Sequence, residues 1–299
     1  MMRAKLSKAM SLVLALLMVC TCLTPVAFAA DGTGAAETSS RRTMQEWNEI
    51  LNTSDYKTYL ERHADKKQAS STVTIDATAY DADATTDREA EVLYDVNADG
   101  EHSLYTSDSG KVTWKFTVRE AGLYSVRLVC YPGNAKRGDN AEKSTDIERI
   151  LYVNGKVPFS EARSITITKK WAPQYEANGG FQEDLAGNDL RPHNLSAIEW
   201  IDYTVKDSTG YYTDPLLFYF AAGENTITLE ASREPMSIKQ IILEPEKEIP
   251  TYEEYKAAHT YKQGTDAPIK IEAERPVYQS DESIYPLTDR TSAITSPQD

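Results

Sequence analysis

The sequence predicts an all-β fold, an antiparallel β-sandwich of the jelly-roll kind preceded by short N-terminal helices, on three observations. Apolar and polar residues alternate through much of residues 72–245, the period of strands with one buried face. Gly, Pro, Asn and Asp interrupt the alternation at short intervals, and no long helical period separates the runs. The 299 residues are 40% hydrophobic and 9% aromatic, enough for a core built without cross-links.

Taken in order, residues 1–29 read as an export signal. Arg3, Lys5 and Lys8 make a basic start, residues 10–23 are mostly apolar, and Ala27-Phe28-Ala29 has the small-x-small pattern that signal peptidase cuts. The apolar run falls short of the roughly 20 residues that span a bilayer. A secreted, extracellular protein associated with the cell surface is expected. Cys20 and Cys22 lie inside this segment without a small residue just before them, which argues against a lipid anchor. Removing the three cations moves the net charge from −14 to −17, a balance that excludes phosphate-backbone binding and hence nucleic acid. Only Cys130 is then left, at the end of the alternating run Tyr124, Val126, Leu128, Cys130, so it is expected in the core and no internal disulfide can form.

Residues 30–71 combine a Gly-, Ser- and Thr-rich lead-in with two short helical patterns. The first puts Met44, Trp47, Ile50 and Leu51 on one face, and the second, capped by Thr53 or Ser54, groups Tyr56, Tyr59 and Leu60. Within the sandwich, Val112, Trp114, Phe116 and Val118 alternate, Ala121-Gly122 turns the chain, and residues 124–130 alternate again. That is a hairpin with Trp114 inside. Further strands are expected at 149–153 before an Asn154-Gly155 turn, and at 164–168, 198–205, 216–220, 226–231 and 237–243. Tyr56, Tyr59, His63, Ile75 and Ala77 recur at an offset of 196 as Tyr252, Tyr255, His259, Ile271 and Ala273, with Asp76 falling on Glu272. Residues 246–268 are therefore expected to be a helical linker and 269–299 the truncated start of a second sandwich repeat, poorly ordered or loosely docked. The whole reads as the N-terminal piece of a longer protein or a truncated gene.

No catalytic signature is present. The sequence has no Gly-x-Ser-x-Gly elbow, His-Glu-x-x-His pair or Gly-x-x-x-x-Gly-Lys loop, and His63, His102, His193 and His259 are scattered. Glu183 and Asp184 are adjacent acids, but a sandwich loop supplies no reason for the raised pKa that a glycosidase acid needs. The chain is expected not to be an enzyme. Asp95, Asn97 and Asp99, followed by Gly100, have the spacing of a calcium loop, although Thr106 stands where its bidentate acid belongs and a plain turn is the competing reading. Calcium is the one cofactor candidate. The stretch 171–200 gathers Trp171, Tyr175, Phe181 and Trp200 with Asp184, Asn188, Asp189, Arg191, His193 and Asn194. Sugars stack their C–H faces on aromatic rings while Asp, Asn and Arg bond their hydroxyls, so Trp171, Tyr175, Asp184, Asn188 and Arg191 are the candidate saccharide residues. The competing reading buries the tryptophans of this connection as a satellite core.

Several segments carry a family resemblance. Residues 147–162, containing Asn154-Gly155-Lys156-Val157-Pro158-Phe159, together with Gly187-Asn188-Asp189-Leu190-Arg191-Pro192, Gly223-Glu224-Asn225-Thr226-Ile227 and Glu234-Pro235-Met236, resemble the N-terminal region of large extracellular solute-binding proteins of bacterial ABC transporters. In those, galactose-binding-like jelly rolls precede the solute-binding domain. More distantly the chain is similar to family 6 and family 35 carbohydrate-binding modules, whose first strand reads Ile-Glu-Ala-Glu. Ile271-Glu272-Ala273-Glu274 matches that strand, whereas the first copy has Ile75-Asp76-Ala77-Thr78. Those modules share a structural calcium between the acidic first strand and an Asp in the last, where this chain has Ile238-Lys239-Gln240-Ile241. The resemblance implies a secreted, non-catalytic module for a neutral oligosaccharide or polysaccharide, acting with a transporter permease through a C-terminal domain that lies outside these residues. A structural spacer or adhesion module without a ligand, and the accessory domain of a glycoside hydrolase, are the alternatives.

Overall fold

The computed structural model describes residues 43, 44, 48, 51–136, 145–175, 180–247, 250–260, 264, 268–271 and 276–284. The chain divides into two compact units, Met1–Glu46 and Trp47–Asp299, and every element below belongs to the second. The export signal lies outside the described residues, as does most of the first helical pattern, of which Met44 and Leu51 are exposed. Among the described residues no helix is long and apolar enough to cross a membrane.

Among the described residues thirteen strands build the unit. They are β1 (Val73–Asp76), β2 (Glu91–Tyr94), β3 (His102–Thr106), β4 (Lys111–Val118), β5 (Gly122–Tyr131), β6 (Ile147–Val153), β7 (Ile165–Ile167), β8 (Trp171–Gln174), β9 (His193–Ser196), β10 (Ile201–Thr204), β11 (Leu217–Phe220), β12 (Gly223–Arg233) and β13 (Met236–Glu244). One sheet runs β10-β5-β13-β3-β2, with β11 also on β5 and β1 also on β13; the other runs β4-β12-β6-β7. All their pairings are antiparallel. From β3 to β6, and again from β11 to β13, successive strands alternate between the sheets, the winding of a jelly roll.

Period-2 alternation sets the packing, although β4 and β5 do not pair as the expected hairpin; they lie in opposite sheets, and β4 pairs with β12. In β4, Val112, Trp114 and Val118 are buried while Lys115 is exposed, and in β5 the inward set ends at a fully buried Cys130. Trp114 fills the centre, its indole N–H donating to the Ala77 carbonyl at 2.8 Å and so tying β4 to the chain just beyond β1. The predicted Asn154-Gly155 turn closes β6 with both residues in the left-handed region (φ 49° and 75°), a two-residue turn whose twist suits a hairpin. Arg149 of β6, also buried, reaches across to the other sheet. Its guanidinium donates to the carbonyls of Glu148, Arg233, Glu234 and Ser107 and to Thr106 Oγ1, at 2.8–3.2 Å. Burial draws its pKa down to about 10, so it still carries its charge at neutral pH. A buried Lys169–Glu234 ion pair at 3.2 Å sits beside it.

A short helix, α1 (Tyr56–Arg62), covers the edge left open by β11. Asp55 caps it by accepting from the Thr58 N–H, one residue beyond the predicted Ser54 and two beyond Thr53. The N–H groups of Leu217 and Tyr219 donate to the hydroxyl oxygens of Tyr56 and Tyr59, at 2.9 and 2.7 Å. A strand edge that would present bare N–H groups to solvent is thus satisfied by two tyrosines one helical turn apart. A second helix, α2 (Tyr252–Ala258), follows the sandwich with a capping box of Thr251 and Glu254.

Candidate functional site

The calcium candidate lies on a tight turn whose acids carry partners of their own. Asp95, Asn97 and Asp99 lie on the β2–β3 connection, where Asp95, Asn97, Ala98 and Gly100 have φ between 56° and 70° and the Gly100 N–H donates to Asp95 Oδ1. Its carboxylates are turned to other partners. Asp99 Oδ2 lies 2.7 Å from Lys239 Nζ, and Glu101 Oε2 lies 2.9 Å from the same ammonium. That ammonium stands 4.2 Å from the Trp200 ring centroid, and the Trp200 indole donates to the Val96 carbonyl at 3.1 Å. Burial alone would raise the Asp99 pKa, but the hydrogen bonds from Lys239 and the Glu101 N–H hold it below its ordinary value. Among the described residues no three His, Cys, Asp or Glu side chains could hold a metal ion. Lys239 brings its own cation to Asp99 and Glu101.

The 171–200 connection is a hairpin of β8 and β9 with a small turn at its far end. Trp171 begins β8, pairs with Ser196, and is bridged on its other side by Gln279 through two backbone hydrogen bonds of 2.7 and 2.8 Å. Only 3% of Trp171 is exposed, so the ring has no open face for a sugar, and this candidate is corrected. Tyr175 and Phe181 meet edge to face at 5.6 Å, both half-buried. Asp184 accepts from the N–H groups of Ala186 and Asn188, and Asn188 Nδ2 donates to Asp184 Oδ2 at 2.8 Å. These bonds, the Asn188 side chain first, lower the Asp184 pKa, which is opposite to what a glycosidase acid requires. Asp184 and Asn188 hold their own turn.

Arg191 is the sequence candidate that reaches a cavity. With His193, Asn194, Asp281, Glu282 and Ser283 it lines an open cleft of about 340 Å³ between the hairpin and residues 281–283. Asn194 sits in β9, buried, and its Nδ2 donates to the carbonyls of Glu282 and Ile284, which fixes the far wall. Arg191 Nη2 donates to the Ser283 carbonyl at 3.4 Å. The Ser283 hydroxyl and N–H, in that order, hold the Asp281 carboxyl below its usual pKa. Asn194 Oδ1 is buried without a hydrogen-bond partner, as are both amide atoms of Gln279. Such orphans are rare in native folds.

No protein-family model matches this chain, and no curated protein matches it. Among solved structures it is similar to a family 35 carbohydrate binding module from Clostridium thermocellum, at 11% identity over 58% of this chain and 98% of that one, with a TM-score of 0.34. It is similar to a GH26-CBM35 β-(1,4)-mannanase of Podospora anserina at 14% identity, over 61% of this chain and 29% of that one, with a TM-score of 0.32. A C-terminal CBM6 of a marine laminarinase from Zobellia galactanivorans matches at 11% identity, over 58% and 99%, with a TM-score of 0.28.

The acidic wall of the cleft, Asp281 and Glu282, escaped sequence reasoning because those residues fall in the segment assigned to a second repeat. Ile269 and Ile271 are exposed, while Gln279 is bridged to β8. Gln279, between Tyr278 and Ser280, carries no pattern that would have announced the bridge.

Proposed function

We propose that this chain is a secreted, non-catalytic module that holds a neutral oligosaccharide or polysaccharide in the cleft between β9 and residues 281–283. The observation that carries the reading is the open polar cleft itself, lined by Arg191, His193, Asn194, Asp281, Glu282 and Ser283. Arg191 offers donors, and Asp281 and Glu282 offer acceptors, to a sugar's hydroxyls on either side of it. The cleft volume is that of a small-molecule site. Specificity here comes from hydrogen bonds more than from ring stacking, since Trp171 is closed to solvent. The net charge of −14 disfavours anionic glycans at long range. Following the resemblance of Gly187-Asn188-Asp189-Leu190-Arg191-Pro192 and the other segments, the module serves sugar capture as the N-terminal part of an ABC-transporter binding protein, with the permease engaged through another domain.

A glycan array followed by calorimetry tests this. Neutral glycans are expected to bind, with Arg191→Ala and Asp281→Ala each weakening binding about tenfold, the loss of roughly one good hydrogen bond. Absence of binding at millimolar ligand, or binding that both substitutions leave intact, refutes the site. The first result would put the spacer reading in its place.

A further inference from the structure

The Tyr-x-x-Tyr-x-x-x-His motif occurs twice, and its two copies have the same internal geometry. His63 Nδ1 lies 2.8 Å from the Tyr59 carbonyl, and His259 Nδ1 lies 2.7 Å from the Tyr255 carbonyl. The His ring rests on the second tyrosine in both, with centroids 4.3 and 4.0 Å apart. Each helix is seven residues long with a side-chain N-cap, Asp55 in one and Thr251 in the other. Their surroundings differ completely. Tyr56 and Tyr59 are 5% and 7% exposed, whereas Tyr252 and Tyr255 are 71% and 47% exposed. The segment that follows repeats the contrast, since Ile75 of β1 is 5% exposed and its counterpart Ile271 is 83% exposed.

In the first copy the two tyrosines close a sheet edge, where their hydroxyl oxygens take the Leu217 and Tyr219 N–H groups along the open side of β11. The spacing is what allows it. Two residues three apart on a helix lie on one face, and alternate residues of a strand point their N–H groups to one edge. Tyr252 and Tyr255 retain that spacing, and Ile269 and Ile271 follow at the distance that separates α1 from Val73 and Ile75 of β1. We propose that α2 is a docking helix for the open edge strand of a second β-sandwich of this kind, with Tyr252 and Tyr255 accepting alternate backbone N–H groups and residues 269–271 adding a strand beside it. The partner is recognised through main-chain groups, so its edge need only be free and in the β11 geometry. Lys256 stands where Leu60 packs against the first core, so the second seat is more polar at that point.

The seat of α1 serves as the test surface. A fluorescent peptide of residues 250–260 is titrated against the full chain carrying Tyr56→Ala and Tyr59→Ala, and against the unsubstituted chain, with a peptide of residues 54–64 as the reference. The proposal expects the 250–260 peptide to bind the substituted chain at least tenfold more tightly than the unsubstituted one, and to lose that gain with Tyr252→Phe and Tyr255→Phe. Binding of the 54–64 peptide alone overturns it. If neither peptide binds, the full chain with Asp55→Thr, Lys57→Glu, Thr58→Glu, Leu60→Lys, Glu61→Ala and Arg62→Ala, which places the α2 sequence on the α1 seat, decides the matter. Leu217 and Tyr219 amides exchanging as slowly as in the unsubstituted chain support the proposal. Exchange as fast as in the chain with Tyr56→Phe and Tyr59→Phe, or failure to fold, overturns it.

Discussion

Trp114→Ala tests the central packing directly. The side chain is wholly buried in β4 opposite Ile227 of β12, and its indole N–H is given to the Ala77 carbonyl on the other side of the core. Emptying a large aromatic site costs about 3–5 kcal/mol. The abandoned Ala77 carbonyl belongs to a buried residue, so a further cost of about 1–3 kcal/mol applies wherever water cannot reach it. Against a total stability of about 5–15 kcal/mol, that leaves the fold marginal. At a urea slope near 2 kcal/mol/M, a 4 kcal/mol loss moves the midpoint down by about 2 M. Trp114→Phe separates the two contributions, because it keeps most of the apolar volume and removes only the N–H; its expected loss is about 1–3 kcal/mol. Urea titrations followed by circular dichroism give both numbers. A loss under about 1 kcal/mol for the alanine variant refutes the placement, and equal losses for both variants refute the division between volume and hydrogen bond.

Three other outcomes follow from the structure. Asp207 is buried, which would raise its pKa, but bonds from the Thr209 hydroxyl and the N–H groups of Thr209, Tyr212 and Tyr211 lower it below 3.8. Its stabilising contribution is therefore complete above the unfolded value and is lost as pH falls through the lower folded one, so Asp207→Ala should cost about 1–3 kcal/mol at neutral pH and less below pH 3.8; urea midpoints with a pH-independent gap contradict this. Burial pushes the Cys130 thiol up to about 12, so a thiol reagent should label it only as fast as the protein opens; equal rates in native buffer and in denaturant would refute its burial. Lys239→Met leaves Asp99 and Glu101 facing each other without their cation and should destabilise by roughly 2 kcal/mol, less than for a fully buried pair because the ammonium keeps some contact with water. Chelator should leave the melting temperature of the unsubstituted chain unchanged, and a drop reversed by calcium would restore the metal reading.

The contrast between two tryptophans shows what local pattern carries and what it does not. Trp114 sits in an unbroken alternation, so its inward direction follows from its neighbours alone, and the structure places it at the centre. Trp171 has Pro173 two residues on, and its strand is completed by Ser196 on one side and Gln279 on the other. Nothing within its own stretch announces those partners, so composition pointed to a sugar platform where packing made a satellite core. Arg191 was legible as a polar group on a loop; Asp281 opposite it was not, because their proximity depends on a bridge between distant segments. The pairing of Lys239 with the acids of the calcium candidate was hidden for a similar reason, since those acids come from the β2–β3 connection and their meeting with Lys239 is a property of sheet order, not of spacing along the chain. The repeated tyrosines carry the same lesson furthest. One motif is buried and the other exposed although their internal hydrogen bonds agree, so what distinguishes them is an edge strand that the motif itself does not encode. A sequence states which groups a segment offers, and the open edge that takes them must be found in the fold.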